Sequence, residues 1–244
     1  MRGIISAEQV IRDHADSIGI DIHGIGVRKR VIVSWLPHIV NRLSAAIETN
    51  KCTNWLYPGN PLYSNENVSV AHIRPGAPAA AIYLELLIAC GAEQVITIGY
   101  AGALSESVSI GDVVMPGWFV SSEGTSRHYV TETENIEPSA RLMRSLTKAS
   151  HDHGLSMREG GCWSTDALFR ETESDIERHA RKALCVDMES SACVAVGNFR
   201  NIEICSLLVV SDSVWGGEWR KGFKSERLKE SVDKVVAMMS EHSV

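Results

Sequence analysis

The chain has 244 residues, 24 Lys and Arg against 30 Asp and Glu, a net charge of −6 and 44% hydrophobic residues. This acidic balance argues against a nucleic-acid partner, and no apolar run reaches the roughly 18 to 20 residues that cross a bilayer. Residues 1–21 carry several charges and no unbroken apolar segment, so neither a secretory signal nor a membrane partner is expected. We therefore predict a cytoplasmic protein with one domain over residues 1–244.

In chain order, short apolar β-rich runs alternate with helical patterns, which is typical of βαβ units around a largely parallel sheet. An N-terminal helix or arm is expected over residues 1–22, and residues 51–67 are predicted to form a loop because they contain Pro58-Gly59-Asn60-Pro61. The predicted strands are residues 30–33, 68–73, 94–99, 112–116, 184–186 and 205–210. The predicted helices are residues 37–48, 77–90, 138–153, 173–183, 188–199 and 225–241.

The six cysteines form no Cys-x-x-Cys pair, and several lie inside apolar runs. A thiol in such a run behaves as a small hydrophobic group. We therefore expect reduced, structural cysteines.

A glycine-rich turn follows the predicted strand at 94–99 and reads Gly99-Tyr100-Ala101-Gly102. Glycines at the carboxyl end of a parallel strand let the backbone approach a ligand closely, which makes Tyr100, Ala101 and Gly102 candidate substrate contacts. A tightly packed strand-to-loop turn explains the pattern equally well. The motif is not a dinucleotide fingerprint, because its Gly-x-Gly-x-x-Gly spacing is incomplete.

Two further strand ends carry acids. In Val186-Asp187-Met188-Glu189 a carboxylate could accept hydrogen bonds from the vicinal hydroxyls of a sugar, although acids at a helix start also complement the helix dipole. In Val210-Ser211-Asp212 the acid follows a strongly apolar run, so partial desolvation would suit Asp212 to proton donation. The alternative for Ser211 and Asp212 is a cap for the following turn.

A fourth segment, residues 162–171, begins Cys162-Trp163-Ser164-Thr165-Asp166. The Trp163 ring could stack on a flat heterocycle, although a tryptophan beside a turn more often belongs to the core.

Taken together, the motifs resemble the nucleoside phosphorylase family, which includes purine nucleoside phosphorylases, uridine phosphorylases and methylthioadenosine nucleosidases. The resemblance covers residues 31–239 of a divergent member and rests on six segments in register: Gly76-Ala77-Pro78-Ala79-Ala80-Ala81-Ile82 with Glu85-Leu86, residues 99–104, Ile110-Gly111-Asp112-Val113-Val114, Ser164-Thr165-Asp166, Val186-Asp187-Met188-Glu189 and Val210-Ser211-Asp212. It implies an α/β fold, a three-layer α/β/α sandwich with a twisted, partly closed mixed sheet. It also implies a homo-oligomer, as a dimer, trimer or hexamer, that acts on a small-molecule nucleoside.

The resemblance also implies roles for individual residues. Met188 and Glu189 would contact the ribose, with Glu189 accepting from its 2′- and 3′-hydroxyls, and Trp163 would lie against the base. Asp212 stands where purine-cleaving members keep an acid that protonates or hydrogen-bonds N7. Arg227 resembles an arginine that moves toward this acid, although Arg220 is an alternative. Uridine phosphorylases lack the Ser-Asp pair, so a purine base is favoured.

The phosphate-binding part of the family pattern is missing. The family's Gly-Asp-Pro-x-Arg loop is replaced by Ser34-Trp35-Leu36-Pro37-His38-Ile39, so Trp35 stands at the glycine and Ile39 at the arginine. Thr97 and Tyr100 replace further phosphate contacts. Arg74 and His38, or His72, are candidate replacements because an anion stripped of water needs charge-assisted donors.

Three functions follow from this pattern. The first is phosphorolysis of a purine nucleoside, which the family favours, with inorganic phosphate as co-substrate and no metal or organic cofactor. The second is hydrolysis, in which water replaces phosphate because the phosphate arginines are absent. The third is a non-catalytic nucleoside-binding relative, which the tryptophan in the phosphate loop suggests.

Overall fold

The computed structural model describes residues 4–242 and confirms the α/β architecture. Within those residues the helices are α1 (Ala7–Ser17), α2 (Pro37–Ala46), α3 (Ala77–Ala89), α4 (Ala140–Asp152), α5 (Glu173–Ala180), α6 (Ser190–Arg200) and α7 (Glu226–His242). The strands are β1 (Arg30–Ser34), β2 (Asn50–Lys51), β3 (Leu62–Ser64), β4 (Val68–His72), β5 (Gln94–Ala103), β6 (Val113–Ser121), β7 (Met157–Ser164), β8 (Cys185–Asp187), β9 (Glu203–Ser213) and β10 (Arg220–Lys221). The predicted N-terminal helix begins at Ala7, and residues 1–3 lie outside the described part of the chain.

Local sequence signals set several helix boundaries. Gly76, with a φ of 94°, precedes α3, and this left-handed backbone conformation is one that favours glycine. At α5, the Thr172 and Asp175 side chains and backbones bond each other reciprocally in a capping box. These caps determine where the chain enters α3 and α5, which border the site described below.

The strands form one mixed sheet in the order β10-β9-β6-β7-β8-β5-β1-β4-β3-β2. An additional parallel pairing joins β9 to β5, so β5, β9, β6, β7 and β8 close into a ring while β1, β4, β3 and β2 extend from it. This arrangement confirms the partly closed sheet that the family resemblance implies.

Helices cover both faces of the sheet. On one face α3 packs against α1 and α6, and on the other α7 packs against α2 and α4. Each interface contains a large cluster of buried aliphatic side chains, and a smaller cluster lies around Trp163 near α5. The six cysteines are unpaired thiols. None of the helices within residues 4–242 is both long and apolar enough to span a membrane.

All six predicted strands are present, but the prediction missed others. The loop predicted at 51–67 contains β3, and β7 was not predicted at all. In β7 two glycines replace the β-branched residues that usually mark a strand. The reason is space: a Cβ on Gly160 would lie 2.4 Å from Leu184 Cδ1, and one on Gly161 would lie 2.4 Å from the Lys182 carbonyl oxygen.

Candidate active site

The ends of β5, β8 and β9 meet at one edge of the closed part of the sheet. Gly102 of β5 pairs with Val186 of β8 on one side and with Asp212 of β9 on the other. The register of β5 and β9 shifts between Ala101 and Gly102, which leaves Ser211 as an extra residue on β9. A bulge of this kind redirects side chains next to functional sites. The junction therefore brings together two acidic segments that are separate in the sequence.

A cavity of about 240 Å³ opens at this junction. Eight of the residues predicted from the sequence line it: Tyr100, Ala101, Gly102, Asp187, Met188, Glu189, Ser211 and Asp212. The predictions for the glycine turn and for both acidic strand ends thus fall on a single cavity. The roles assigned to these residues remain predictions.

Glu189 is buried and immediately precedes α6. The Gly76 N–H donates to its Oε1 over 2.7 Å, and the Met188 N–H donates to its Oε2 over 3.3 Å. Burial, and then the negative charge of Asp187, raises the pKa of Glu189 to about 8 despite these two donors. Each carboxyl oxygen retains capacity for a further donor. Hydroxyl donors or a positive charge in the cavity would favour the ionised form.

Both carboxyl oxygens of Asp187 accept hydrogen bonds from neighbouring residues of the chain. The Ser164 hydroxyl donates to its Oδ1 over 2.6 Å, and the Ser190 N–H donates to its Oδ2 over 2.9 Å. Ser164 Oγ also accepts the Ser191 N–H over 3.1 Å, and the Ser191 hydroxyl donates to Glu123 over 3.0 Å. Burial raises the pKa of Asp187. This network fixes the start of α6 and with it the neighbouring Glu189.

Asp212 also has a donor on each oxygen. The Ser211 hydroxyl donates to Oδ1 over 2.6 Å, and the Trp219 indole N–H donates to Oδ2 over 2.7 Å. Lys221 Nζ lies 4.4 Å from the centre of the Trp219 ring, and Phe223 meets that ring edge-on. Trp219 and Phe223 both line the cavity, although no sequence pattern identified them.

Glu171 is the fourth carboxyl group of the cavity wall, and the sequence did not identify it. Burial, and then the charges of Asp212 and Asp175, raises the pKa of Glu171 to about 7. Its Oε1 atom is buried and has no hydrogen-bond partner within the described residues. Acidic residues before helices are common, so nothing in the sequence distinguishes this one.

Trp35, which the resemblance places in the family's phosphate loop, lines the cavity. A Cβ on Gly99 would lie 2.1 Å from Trp35 Cζ2, so the indole packs directly on the backbone of β5. His38, predicted as a phosphate contact, does not line the cavity. Its Nε2 lies 2.9 Å from the Tyr100 hydroxyl, and burial, together with the charge of Arg42, lowers its pKa.

The other predicted cations are also bonded elsewhere. Arg74 Nε donates to Asn60 Oδ1 over 3.2 Å, and Arg74 lines a second cavity with Asn60 and Tyr83. Arg227 pairs with Asp112 rather than with Asp212. Among the described residues that line the carboxyl-rich cavity there is no lysine, arginine or histidine. Neither Arg74 nor Arg227 lines this cavity, and the roles expected for them stay predictions.

Trp163 lies in the core, which is the alternative that the sequence analysis gave beside contact with the base. It lies within β7, is buried and stacks on His179 with a ring distance of 4.1 Å. Its indole N–H donates to Ser122 over 2.8 Å, so the ring does not line the cavity. The prediction placed Trp163 beside a turn because β7 was not recognised. The aromatic residues that do line the cavity are Trp35, Tyr100, Trp219 and Phe223.

The described chain thus has a partly closed mixed sheet between helical layers, the architecture of an α/β protein, with a carboxyl-rich cavity where its strands end. Residues 60–241 match the sequence profile of the Phosphorylase superfamily, and the chain belongs to this family. This family match and the sequence similarity to purine nucleoside phosphorylases show that the chain is an enzyme rather than a non-catalytic relative.

Similar sequences support membership of the Phosphorylase superfamily. The chain is 24% identical to a guanosine phosphorylase of Halorubrum lacusprofundi over 72% of this chain and 76% of the relative. It is 27% identical to a DeoD-type purine nucleoside phosphorylase of Brevibacillus brevis over 64% of this chain and 68% of the relative.

Solved structures show the same fold. The purine nucleoside phosphorylase of Toxoplasma gondii, crystallised with immucillin-H, has a TM-score of 0.82 at 18% identity and covers 100% of this chain and 97% of its own. The AMP nucleosidase of Bacteroides thetaiotaomicron has a TM-score of 0.73 at 21% identity, with coverage of 98% and 100%. The relatives together indicate cleavage of a nucleoside glycosidic bond.

Proposed function

We propose that the chain cleaves the N-glycosidic bond of a purine nucleoside, with Glu189 holding the ribose and Asp212 assisting the departure of the base. One observation carries this proposal: Glu189 and Asp212 line the same cavity. Had the two carboxyl groups opened onto different faces of the molecule, they could not act on one substrate.

Glu189 suits the sugar because of its surroundings. Two backbone N–H groups hold its carboxyl, and hydroxyls of a ribose can occupy the remaining acceptor positions. Cleavage builds positive charge on the sugar ring. A carboxylate fixed beside that charge therefore stabilises the transition state more than the bound substrate. The raised pKa of Glu189 means that binding of a cationic centre also draws this group into its ionised form.

Asp212 suits the leaving base. A departing purine anion is a poor leaving group unless N7 accepts a proton or a strong hydrogen bond, and general-acid help of this kind contributes about 10²- to 10⁴-fold in rate. The apolar faces of Trp219, Phe223 and Leu168 in the same cavity offer a flat heterocycle an apolar surface. The relatives named as purine nucleoside and guanosine phosphorylases support a purine rather than a pyrimidine.

Water is our proposed acceptor of the ribosyl group. The cavity wall carries four carboxyl groups and no cationic side chain from the described residues. A phosphate dianion needs charge-assisted donors, and the described part of the cavity wall supplies none from a cationic side chain. Arg74 bonds Asn60 and Arg227 pairs with Asp112, so neither is free to face an anion here.

Phosphorolysis is the second candidate. Both sequence relatives named above are phosphorylases, and this is the observation that favours it. It requires a cation from outside the cavity wall, for example from a second copy of the chain.

One experiment separates the two candidates. Inosine, guanosine, adenosine and uridine are incubated with the enzyme in phosphate-free buffer and in phosphate, and the sugar product is identified. Hydrolysis gives free ribose at a rate that phosphate does not change, whereas ribose 1-phosphate formed only with phosphate would establish phosphorolysis. Failure to release a base from any purine nucleoside under both conditions contradicts the proposed function.

A further inference from the structure

We propose that the cavity around Arg74 is a second binding site and that it takes a small aromatic carboxylate. The cavity has a volume of about 340 Å³ and is lined by residues 57–60, by Arg74 and by the first two turns of α3. Sites for small molecules usually occupy about 300 to 1,000 Å³. None of the described residues that line it also lines the carboxyl-rich cavity, so a ligand bound here takes no part in the reaction proposed above.

Arg74 supplies a positive charge whose position is fixed. Its Nε donates to Oδ1 of Asn60 over 3.2 Å. Asn60 is buried, its Nδ2 lies 3.1 Å from His72 Nδ1, and its carbonyl oxygen accepts the indole N–H of Trp55 over 3.0 Å. The guanidinium is thus anchored on a residue of the core. A cation that is already oriented loses little side-chain freedom when a ligand binds.

Most donors of this guanidinium remain available to a ligand. An arginine carries five N–H groups in a planar fork, and the hydrogen bond to Asn60 uses one of them. No carboxylate pairs with Arg74 within residues 4–242, and no aspartate or glutamate of the described chain lines the cavity. The Nη groups can therefore donate two parallel hydrogen bonds to one carboxylate, which is the geometry that arginine favours. Because Arg74 is the single cation among the described lining residues, the cavity matches a monoanion better than a phosphate dianion.

The role of Arg74 is not explained by the needs of the fold alone. Buried polar atoms require a partner, and Arg74 could serve only to satisfy Oδ1 of Asn60. That oxygen, however, already accepts the hydroxyl of Tyr83 over 2.9 Å. The buried oxygen would keep a donor without Arg74, so the open side of the guanidinium is available for a further function.

The rest of the cavity wall favours an aromatic ligand. The rings of Tyr57 and Tyr83 have their centres 4.9 Å apart, and Trp55 meets the Tyr57 ring edge-on at 6.4 Å. Ile82 is 55% exposed, although the residues on either side of it in α3 are buried. A flat ring packed on Tyr57 and Ile82 would remove this apolar surface from water. A carboxyl group on that ring would then face Arg74.

Ligand-observed NMR titration of the full chain with benzoate, benzamide and cyclohexanecarboxylate tests this proposal. We expect benzoate to bind in the millimolar range or more tightly, and at least about tenfold more tightly than benzamide, which has the same ring and no charge. Cyclohexanecarboxylate keeps the charge but cannot stack, and should bind about 2- to 10-fold more weakly than benzoate.

Substitution of Arg74 tests the anion contact. Arg74→Gln removes the cation and should weaken benzoate binding about 10- to 100-fold, with no change for benzamide. Arg74→Lys keeps the charge without the planar fork, so its affinity for benzoate should lie between those of the wild type and Arg74→Gln. Arg144→Gln is the matched control, because Arg144 is an exposed arginine on α4, and it should keep the wild-type affinity.

A second substitution localises the site without changing Arg74. Ile82→Asp adds a negative charge to the cavity wall and should weaken benzoate binding about 5- to 20-fold. Ile18→Asp is its control, because Ile18 is 44% exposed and does not line this cavity. These measurements need no turnover, so they stand or fall independently of the proposed reaction.

Four outcomes would each overturn the proposal. They are no benzoate binding in the millimolar range, equal affinities for benzoate and benzamide, benzoate binding that neither Arg74→Gln nor Ile82→Asp weakens, and displacement of benzoate by an equal concentration of inorganic phosphate. The last outcome would indicate a site for any anion rather than for an aromatic carboxylate.

Discussion

The indole N–H of Trp219 donates a 2.7 Å hydrogen bond to Oδ2 of Asp212. Trp219 reaches the acid from the segment after β9, in which Gly216 and Gly217 both have positive φ values. Because Ser211 holds the other oxygen, the orientation of the Asp212 carboxyl is fixed from both sides. A group that must meet one atom of a leaving base benefits from such preorganisation.

Replacing Trp219 with phenylalanine tests this relationship. Trp219→Phe keeps an aromatic ring beside Phe223 but removes the N–H donor. We expect kcat/KM for a purine nucleoside to fall about 3- to 30-fold, since Trp219 is 55% exposed and solvent weakens the hydrogen bond. Trp118→Phe is the matched control, because its indole N–H bonds the Lys182 carbonyl instead. An effect of Trp118→Phe as large as that of Trp219→Phe would contradict the assignment.

Asp212→Asn tests the acid through the leaving group. An amide cannot donate a carboxylic proton, so release of a purine base should fall about 10²- to 10⁴-fold. A nitrophenyl riboside needs no protonation to depart, and its cleavage by Asp212→Asn should stay within about tenfold of wild type. Steady-state rates with both substrates measure the difference. Equal losses on the two substrates would show that Asp212 does not act on the leaving group.

Much of the site could be predicted because it depends on strand ends. Apolar runs identify β5, β8 and β9, and the residues at the end of each strand can then be read directly from the sequence. Tyr100, Glu189 and Asp212, which these patterns selected, line one cavity. The closed part of the sheet came only from the family resemblance, since pairing of β9 with β5 is a long-range property.

The remaining site residues depend on packing that no local pattern encodes. The two alternatives for Trp163 could not be separated from the sequence because glycines concealed β7, the strand that buries its ring against His179. Trp219 contacts Asp212 from an irregular segment whose path the sequence does not predict. Glu171 looks like any surface acid in the sequence, and only the packing of α5 places it on the cavity wall. Arg74 was a reasonable phosphate contact by charge, but its partner Asn60 lies in a segment predicted as a loop.

The stability of the protein should depend on pH through Glu189. Burial above all raises its pKa from 4.5 to about 8, so between these values the folded state holds a proton that the unfolded state releases. The free energy of unfolding contributed by this group therefore decreases as pH rises toward 8. Its slope approaches about 1.4 kcal/mol per pH unit within that window.

Glu189→Gln isolates this effect, because glutamine does not titrate. Other groups change over the same range: His38, His72 and His179 have lowered pKa values and stabilise the fold as pH rises to 6.5, and Glu171 behaves like Glu189. Urea denaturation gives the free energy of unfolding of both proteins at pH 6 and pH 7.5. The difference between the two proteins cancels the contributions that they share. We expect the wild type to lose about 1 to 2 kcal/mol relative to Glu189→Gln. Parallel pH profiles would mean that Glu189 is ionised throughout.

Packing of Trp35 on Gly99 predicts the response of the fold to one added methyl group. A Cβ at residue 99 would lie 2.1 Å from Trp35 Cζ2, so Gly99→Ala should lower the free energy of unfolding by about 1 to 3 kcal/mol. Gly59→Ala is the control, since nothing lies within 4 Å of its added Cβ, and should stay within about 0.5 kcal/mol of wild type. Because a smaller side chain at residue 35 relieves the clash, Gly99→Ala should lower the free energy of unfolding by less in a Trp35→Leu background. Urea denaturation of the wild type, the two single variants and the double variant measures this coupling. Strict additivity of the two substitutions would show that the indole does not rest on β5.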